Sequence, residues 1–190
     1  MTKLALPPAQ RPLLILDLDE TLVHARDNDP LPGLSPDFSL GTITVVKRPF
    51  LDQFLTRVWE HYDVAVWSAG GSLYVEPTVA FLMQGFPSPV FVWSGWRTTR
   101  RFDHETHEAY YIKDLKKVRK KGFAKERMLI VEDLPRNCVR NFGNAIYVKP
   151  FEGDMEDSEL LHLAEYLTEL AKEADFRAVE KRHWRERFPR

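Results

Sequence analysis

Short apolar runs alternate along this chain with longer segments in which apolar residues recur at helical spacing. The clearest run is "PLLILDL", where four aliphatic residues, Leu13 to Leu16, lead directly into acidic positions. An uninterrupted apolar run of this length predicts a strand buried on both faces of a sheet. Further strands are predicted for "GTITVV" (41–46), "DVAVWSA" (63–69), "PVFVWSG" (89–95), "RMLIVED" (127–133) and "AIYVKP" (145–150).

Three segments between and after these strands have the spacing of helices. The first runs from Phe50 to Tyr62, and the second from Leu73 to Met83, where Pro77 must lie near the first turn or kink the helix. The third, Ser158 to Phe188, is predicted to be helical for at least its first half. Strands that alternate with helices predict an α/β fold, with a central parallel sheet flanked by helices on both faces.

Polar side chains follow three of the predicted strands at the point where each strand ends. They are Asp17 and Asp19 after the first run, Ser68 after "DVAVW", and Glu132 and Asp133 after "RMLIV". Because parallel sheets bind ligands beyond the carboxyl ends of their strands, these residues are predicted to share one site.

Composition narrows the class of protein. The chain has 190 residues, of which 44% are hydrophobic and 29% charged, as in one ordinary globular domain. A net charge of −1 argues against a nucleic acid partner, and a single cysteine, Cys138, excludes an internal disulfide. No apolar run approaches the roughly 20 residues of a membrane span, and the N-terminus lacks a secretory signal. We therefore expect a soluble cytoplasmic protein without a membrane partner.

The acidic pair at Asp17 and Asp19 suggests phosphoryl chemistry. A carboxylate can attack phosphorus to form an aspartyl-phosphate, and a second carboxyl group can protonate the leaving alkoxide and then activate water. Oxygen ligands from Asp17 and Asp133 suit Mg²⁺, which would let two anions approach each other. Ser68 and Lys113, in "YYIKDL", would complete a cradle for the phosphoryl oxygens.

Each of these features also has a structural interpretation. The acids of "DLDE" could cap a helix, Ser68 could form a turn, and Lys113 could be a solvated lysine. The run "KKVRKK" (116–121) could be solvated or could contact nucleic acid. His104 and His107 have metal-like spacing, but they lack cysteine partners and indicate a surface hairpin instead. The proline-rich stretch from Arg26 to Asp37 is predicted to be a mobile flap beside the site.

Five blocks taken in order carry a family resemblance: "DLDETLVH", "KRPFLDQFL", "VWSAGGSLYVEP", "YYIKDL" and "IVEDLP". Together they resemble the haloacid dehalogenase superfamily, and specifically the small phosphatases related to those that act on the C-terminal domain of RNA polymerase II. The resemblance covers roughly Pro12 to Leu170. It implies a Rossmann-like central parallel sheet flanked by helices, a small strand-containing insertion after the first strand, and no large cap domain.

The resemblance also implies roles for individual residues. Asp17 would be the nucleophile, and Asp19 the general acid and base, with its backbone carbonyl reaching the metal. Thr21 would orient Asp19, Ser68 would hydrogen-bond the phosphoryl group, and Lys113 would neutralise the phosphate and the nucleophile.

The metal and the site mouth are assigned in the same way. Asp133 would ligate Mg²⁺, with Glu132 at or near the metal through water, so that the expected metal residues are Asp17, Asp19, Asp133 and Glu132. Tyr74 falls where these phosphatases have a tyrosine near the mouth of the site, and it is a candidate for substrate binding. The family usually has Asp at the position of Glu132, so this chain departs from the family's motif there.

We therefore expect one catalytic domain over residues 1–190, with a core of about 12–170 and a C-terminal helical extension of about 171–190. The expected function is a Mg²⁺-dependent phosphatase that acts through an aspartyl-phosphate on a phosphorylated serine or threonine of a protein or peptide. The intervals on either side of Ser68 are too short for a large cap, which favours a peptide substrate. The alternatives are a phosphatase for small metabolites or nucleic acid ends, and a non-catalytic phosphopeptide-binding scaffold. A nuclear location is the alternative to a cytoplasmic one.

Overall fold

A computed structural model of the chain describes residues 11–28, 33–105 and 107–188. The strands are β1 (Leu13–Leu16), β2 (Val23–Asp27), β3 (Phe38–Leu40), β4 (Ile43–Lys47), β5 (Asp63–Trp67), β6 (Val92–Trp93), β7 (Thr99–Asp103), β8 (Glu108–Ile112), β9 (Met128–Glu132) and β10 (Ala145–Tyr147). The helices are α1 (Leu51–His61), α2 (Ser72–Leu82), α3 (Lys116–Arg119) and α4 (Glu159–Leu170).

Five of the strands form a parallel sheet in the order β10-β9-β1-β5-β6. β1 lies at its centre, and Leu16 pairs with Val66 on β5 and with Val131 on β9. Since these three strands end level with one another, the residues that follow them meet at one edge of the sheet. The polar residues that the sequence placed after strands therefore do share an edge, as predicted.

Both faces of this sheet are buried, which explains the continuous apolar run of β1. Leu14 and Leu16 contribute to the core under α1, α2 and α4, whereas Leu13 and Ile15 contribute to the core under α3. Successive strand residues point to opposite faces, so a strand covered on both sides cannot alternate apolar with polar residues. The predicted fold class is confirmed.

The segment after β1 forms a small antiparallel sheet in the order β2-β4-β3. The strand-containing insertion is therefore confirmed. The predicted flap is only partly described, since residues 29–32 lie outside the described residues. Its first two residues, Arg26 and Asp27, belong to β2, where they pair with Thr44 and Ile43, so the flap begins later than predicted.

A second antiparallel pair, β7–β8, precedes Lys113. The turn between these strands contains His104 and His107, whose rings lie 5.2 and 6.5 Å from the ring of Phe102. The prediction of a hairpin here agrees with the strands.

Several helical boundaries differ from the sequence prediction. α2 begins at Ser72 and ends at Leu82, one residue earlier at each end than predicted, and Pro77 is its sixth residue, just beyond the first turn. α4 ends at Leu170, and the extension that we predicted to be helical contains two short 3-10 turns, Phe176–Ala178 and Trp184–Arg187. The side chains of Phe176 and Trp184 are buried against the core, so packing rather than helical periodicity determines this segment. Within residues 11–28, 33–105 and 107–188, no helix is long and apolar enough to cross a bilayer.

Candidate active site

The centre of the candidate site is Asp17, the first residue after β1. Its backbone N–H donates to the carbonyl of Val131 at 3.0 Å, so the sheet ladder holds its position. The side chain is 5% exposed. The ammonium of Lys113 donates to Oδ1, and the hydroxyl of Thr21 lies 3.4 Å from Oδ2. The carboxyl edge of the sheet therefore presents a buried carboxylate that a cation and a hydroxyl already orient.

Lys113 is fully buried and lies directly after β8. Its backbone N–H donates to the carbonyl of Asn137 at 2.9 Å, and its own carbonyl accepts from the amide of Asn141. Its ammonium also donates to Oε2 of Glu132 at 2.6 Å. Lys113 therefore bridges two carboxylates, those of Asp17 and Glu132, and a fixed backbone sets its height above the sheet.

Glu132 uses both of its carboxylate oxygens within the protein. Oε2 accepts from Lys113, while Oε1 accepts from the amide of Asn137 at 3.1 Å and from the backbone N–H of Leu134 at 3.3 Å. These contacts hold the carboxylate as a partner of the lysine. They weaken the expectation that Glu132 itself reaches a metal.

Three carboxylates nevertheless lie close enough together to hold one cation. One oxygen from each of Asp17, Glu132 and Asp133 lies within 4.8 Å of the other two, and all three side chains are buried. Hard carboxylate oxygens at this spacing fit a divalent cation such as Mg²⁺, which typically takes only one or two protein carboxylates and keeps several waters.

The electrostatics of this group favour binding of a cation. Burial, and next the charge of Glu132, raises the pKa of Asp17 well above its ordinary range. Burial likewise raises the pKa values of Glu132 and Asp133. Burial alone would lower the pKa of Lys113, but the charges of Asp17 and Glu132 outweigh it and raise the pKa overall. One ammonium therefore serves an excess of buried negative charge, and a second cation would relieve that excess.

Asp19 is held by a separate pair of donors. The hydroxyl of Tyr74 donates to Oδ1 at 2.6 Å, and the hydroxyl of Ser68 lies 3.0 Å from Oδ2. The oxygen of Ser68 in turn accepts from the backbone N–H of Gly70 at 2.9 Å. Burial, and next the charge of Asp19, raises the pKa of Tyr74, so its hydroxyl stays protonated and keeps donating. Asp17 and Asp19 thus have different partners despite being two residues apart.

The partner expected for Thr21 is different in the structure. We expected Thr21 to orient Asp19, but its hydroxyl contacts Asp17. The chain turns sharply after Asp19, where Glu20 adopts a positive φ of 57°. The turn directs Thr21 back towards the end of β1, and Tyr74 and Ser68 take the orienting role instead.

A buried brace beneath this turn was not found from the sequence. Arg48 is fully buried, and its guanidinium donates to both oxygens of Asp157 at 3.0 and 2.8 Å. It also donates to the carbonyl of Thr21 at 3.1 Å. The backbone N–H of Phe151 donates to the carbonyl of Glu20 at 2.7 Å. The segment before α4 therefore supports the turn that carries Asp19, although more than 100 residues separate the two in sequence.

Cys138 does not belong to the candidate site. Its side chain is 1% exposed and lies in the core on the α3 side of the sheet. Burial raises the pKa of its thiol, so it remains protonated. Cys138 is therefore a small packed residue of the core.

Comparison with known proteins identifies what this arrangement is similar to. Residues 12–177 match the family model of NLI interacting factor-like phosphatases. A probable C-terminal domain small phosphatase of Dictyostelium discoideum is 35% identical over 174 residues, which cover 87% of this chain and 53% of that protein. The human CTD small phosphatase-like protein is 28% identical over 169 residues, which cover 85% of this chain and 57% of that protein.

The chain therefore spans only about half the length of the curated relatives that it matches. Among solved structures, the beryllium fluoride-bound RNA polymerase II CTD phosphatase Fcp1 of fission yeast superimposes with a TM-score of 0.55 at 19% identity. The alignment covers 84% of this chain and 45% of that one. At this identity the likeness is one of fold.

Proposed function

The chain belongs to the NLI interacting factor-like phosphatase family, and we propose on that premise that it is a Mg²⁺-dependent phosphatase with Asp17 as nucleophile. The observation that carries the proposal is the position of Asp17. Its carboxylate lies at the end of the central strand, with Lys113 on one oxygen and with Asp133 close enough to share a cation. The other residues fit the chemistry of phosphomonoester hydrolysis around it.

In the first step, an oxygen of Asp17 attacks phosphorus and the bond from phosphorus to the substrate oxygen breaks. Asp19, oriented by Ser68 and Tyr74, donates a proton to the departing alkoxide. Lys113 offsets the negative charge that gathers on the nucleophile and the phosphoryl oxygens. A Mg²⁺ ion held by Asp17 and Asp133 would supply the remaining charge neutralisation.

In the second step, Asp19 takes a proton from water, which attacks the phosphorus of the aspartyl-phosphate and releases inorganic phosphate and the free carboxylate of Asp17. The division of labour requires two carboxyl groups in different environments. Asp17 has a lysine partner, whereas Asp19 has two neutral hydroxyl partners. This difference supports the assignment of nucleophile and acid.

The substrate that the geometry favours is a phosphorylated serine or threonine in a peptide. Between Ser68 and Lys113 the chain forms α2, β6 and the β7–β8 hairpin, and no large cap over the site. Relatives include a human protein named as a small phosphatase of the C-terminal domain of RNA polymerase II polypeptide A. A sheet edge without a cap can receive a phosphate group that is attached to a peptide. A free metabolite bound there would leave much of its surface in water, whereas small-molecule sites bury most of the surface of their ligand. Residence in the cytoplasm and a single domain over residues 1–190 stay predictions from the sequence.

The experiment that tests the function compares Asp17→Asn with the wild type on an aryl phosphate and on phosphoserine peptides in the presence of Mg²⁺. An amide is a poor nucleophile, so the variant should lose at least about a hundredfold in kcat, on the order of 2.7 kcal/mol in the barrier. Asp52→Asn, which changes an exposed carboxylate on α1, should keep the wild-type rate. A wild type that hydrolyses neither substrate, or an Asp17→Asn variant within about tenfold of it, would refute the proposal.

A further inference from the structure

A short turn beyond the edge strand of the parallel sheet lies beside the candidate site. The 3-10 turn Gly95–Arg97 follows β6, and the backbone N–H of Gly95 donates to the carbonyl of Gly70 at 2.7 Å. A Cβ at Gly95 would lie 2.4 Å from the carbonyl oxygen of Ala69, so only glycine allows this approach. Because Gly70 also donates to Ser68, the turn is attached to the loop that orients Asp19.

This turn holds a guanidinium between two indole rings. The Cζ of Arg97 lies 4.6 Å from the ring centroid of Trp93 and 4.5 Å from that of Trp96. The ring of Trp93 is buried, whereas Trp96 is 69% exposed. The Nε of Arg97 is buried and has no hydrogen-bond partner among the described residues. Stacking fixes the plane of the guanidinium, so an anion would pair with its two terminal nitrogens rather than with the buried Nε.

Two lysines of the "KKVRKK" run lie close to this group, Lys117 against the turn and Lys121 near the ring of Trp93 on β6. The ammonium of Lys117 donates to the carbonyls of Arg97 at 2.7 Å and of Thr98 at 3.2 Å. The ammonium of Lys121 lies 6.0 Å from the ring centroid of Trp93. We call Trp93, Trp96, Arg97, Lys117 and Lys121 the tryptophan–arginine patch.

The positive charge of this patch is not compensated within the part of the chain that the structure describes. There, Arg97, Lys117 and Lys121 form no ion pair with a carboxylate, whereas the neighbouring Asp114 pairs with Arg140 instead, at 3.0 Å. The whole chain has a net charge of −1, so the patch is a local concentration of cations rather than part of a basic protein. Uncompensated cations beside an anion-processing site indicate an anionic ligand.

We propose that the tryptophan–arginine patch binds an acidic segment of the phosphopeptide substrate, in which aspartate, glutamate or a further phosphorylated residue lies a few positions from the residue being dephosphorylated. The inference rests on the proposed phosphatase function and names its specificity determinant. An extended peptide advances about 3.3 Å per residue, so the position along the peptide at which an acidic residue raises the rate measures the distance from the patch to the reacting phosphate. Arg97 would pair with the carboxylate or phosphate through its planar donors, and Trp96 would cover the contact.

A nucleic acid strand is the competing ligand for a surface of cations and aromatic rings. Successive bases need a row of accessible rings, and the patch offers only Trp96 at its surface, because Trp93 is buried. A peptide requires only one ring over the stacked guanidinium. The geometry therefore favours the acidic peptide.

The test measures kcat/KM on peptides with one phosphoserine, in which glutamate pairs replace neutral residues at successive positions on either side. For the wild type, the best acidic peptide should exceed the neutral one by about tenfold, which corresponds to about 1.4 kcal/mol. Raising the salt to about 1 M, where the screening length is about 3 Å, should remove most of this preference. Equal rates on all peptides would overturn the inference while leaving the phosphatase function in place.

Two variants locate the preference at the patch. Arg97→Gln and the exposed substitution Trp96→Ala should each lower the ratio of acidic to neutral kcat/KM at least about fivefold. Because both rates in the ratio come from the same variant, a change at the chemical site alters them alike and cancels. The matched control is Arg57→Gln, which removes the same charge from the exposed face of α1 and should keep the wild-type ratio. A ratio that Arg97→Gln leaves unchanged would overturn the inference.

Direct binding separates this inference from the proposed function. Fluorescence anisotropy of a labelled acidic phosphopeptide should show about fivefold weaker binding to Arg97→Gln than to Arg57→Gln. If the wild type hydrolyses no phosphate yet shows this difference, the function fails and the patch assignment stands. Tighter binding of a labelled single-stranded oligonucleotide than of the acidic peptide, lost in Arg97→Gln, would overturn the assignment in favour of a nucleic acid surface.

Discussion

The ammonium of Lys113 lies 2.6 Å from Oε2 of Glu132, and both side chains are fully buried. Since Oε1 of Glu132 accepts two further hydrogen bonds, three hydrogen bonds within the protein hold this carboxylate in place. Glu132 therefore positions the lysine that contacts Asp17.

Glu132→Gln should therefore lower kcat at least about tenfold, because Lys113 loses the charge that holds it in place. The Mg²⁺ concentration that gives half of the maximal rate should stay within about threefold of the wild-type value. A magnesium titration of the initial rate measures both quantities. Glu165→Gln, on the exposed face of α4, is the matched control. A rise of tenfold or more in the half-maximal Mg²⁺ concentration would show instead that Glu132 is a metal ligand.

Asp133 should behave in the opposite way. Asp133→Asn keeps a ligand oxygen but removes a charge from the candidate metal group, so the half-maximal Mg²⁺ concentration should rise at least about tenfold. In the wild type, chelation should abolish turnover, and added Mg²⁺ should restore it. Rates measured across a magnesium series after chelator treatment provide the check. Full activity in metal-free buffer would refute the metal assignment.

Tyr74→Phe should affect substrates according to their leaving groups. The tyrosine hydroxyl orients Asp19, and the acid matters most when the departing alkoxide is a strong base. We expect a loss of about tenfold in kcat/KM on a phosphoserine peptide and of less than about threefold on a nitrophenyl phosphate. Tyr166→Phe is the control, because the hydroxyl of this α4 residue is buried and has no hydrogen-bond partner among the described residues. Equal losses on both substrates would mean that Tyr74 contacts the substrate rather than the acid.

The features that the sequence predicted well depend on local patterns. The apolar run of β1 and the polar residues Asp17 and Ser68 at strand ends are short-range signals, and the parallel register brings them to one edge. Lys113 could not be brought to Asp17 by that reasoning, because it follows a hairpin strand outside the parallel sheet. Its place in the site was expected because phosphoryl transfer requires a cation and because of the family resemblance, and not because of the strand pattern.

The features that the sequence did not predict depend on contacts between distant segments. The residues next to Arg48 and Asp157 in the sequence do not indicate that the two side chains pair. A buried ion pair and a solvated ion pair consist of the same residue types. The orientation of Thr21 depends on the positive φ of Glu20, a position where glycine or asparagine would have signalled the turn. The C-terminal 3-10 turns likewise depend on packing against the core. The helical periodicity of the sequence does not reveal such packing.

The ion pair between Arg48 and Asp157 should make a large contribution to stability, because removing one partner leaves a buried charge. Asp157→Asn should lower the free energy of unfolding at pH 7 by about 3 kcal/mol. The control Asp52→Asn breaks only the exposed pair with Lys47 and should cost less than about 1 kcal/mol. Urea denaturation measures both values. A loss below about 1 kcal/mol for Asp157→Asn would show that the brace is dispensable.

The same pair gives a defined dependence on pH. Burial alone would raise the pKa of Asp157, but its hydrogen bond to Arg48 lowers the pKa below the ordinary value overall. A carboxyl group whose pKa is lowered by folding stabilises the protein above its unfolded pKa of about 3.9, and this contribution disappears as the pH falls through the folded value. The difference in unfolding free energy between wild type and Asp157→Asn should therefore be constant from about pH 5, which is roughly one unit above the unfolded pKa, to about pH 7. It should shrink below about pH 4.

The assignment of nucleophile and acid can be tested by trapping. Beryllofluoride mimics a phosphoryl group on a carboxylate, so in the presence of Mg²⁺ it should form an adduct on Asp17. Among the described residues, the hydrogen bonds of its Oδ2 are limited to the 3.4 Å contact with Thr21, which leaves this oxygen to attack phosphorus. Asp19 should stay free, because Tyr74 and Ser68 already occupy both of its oxygens. A crystal structure or fluorine NMR of the trapped protein would locate the adduct. Asp19→Asn should still form it, and with a good leaving group this variant should release one equivalent of nitrophenol and then accumulate aspartyl-phosphate, because no base activates water. An adduct on Asp19, or one that Asp17→Asn still forms, would reverse the two roles.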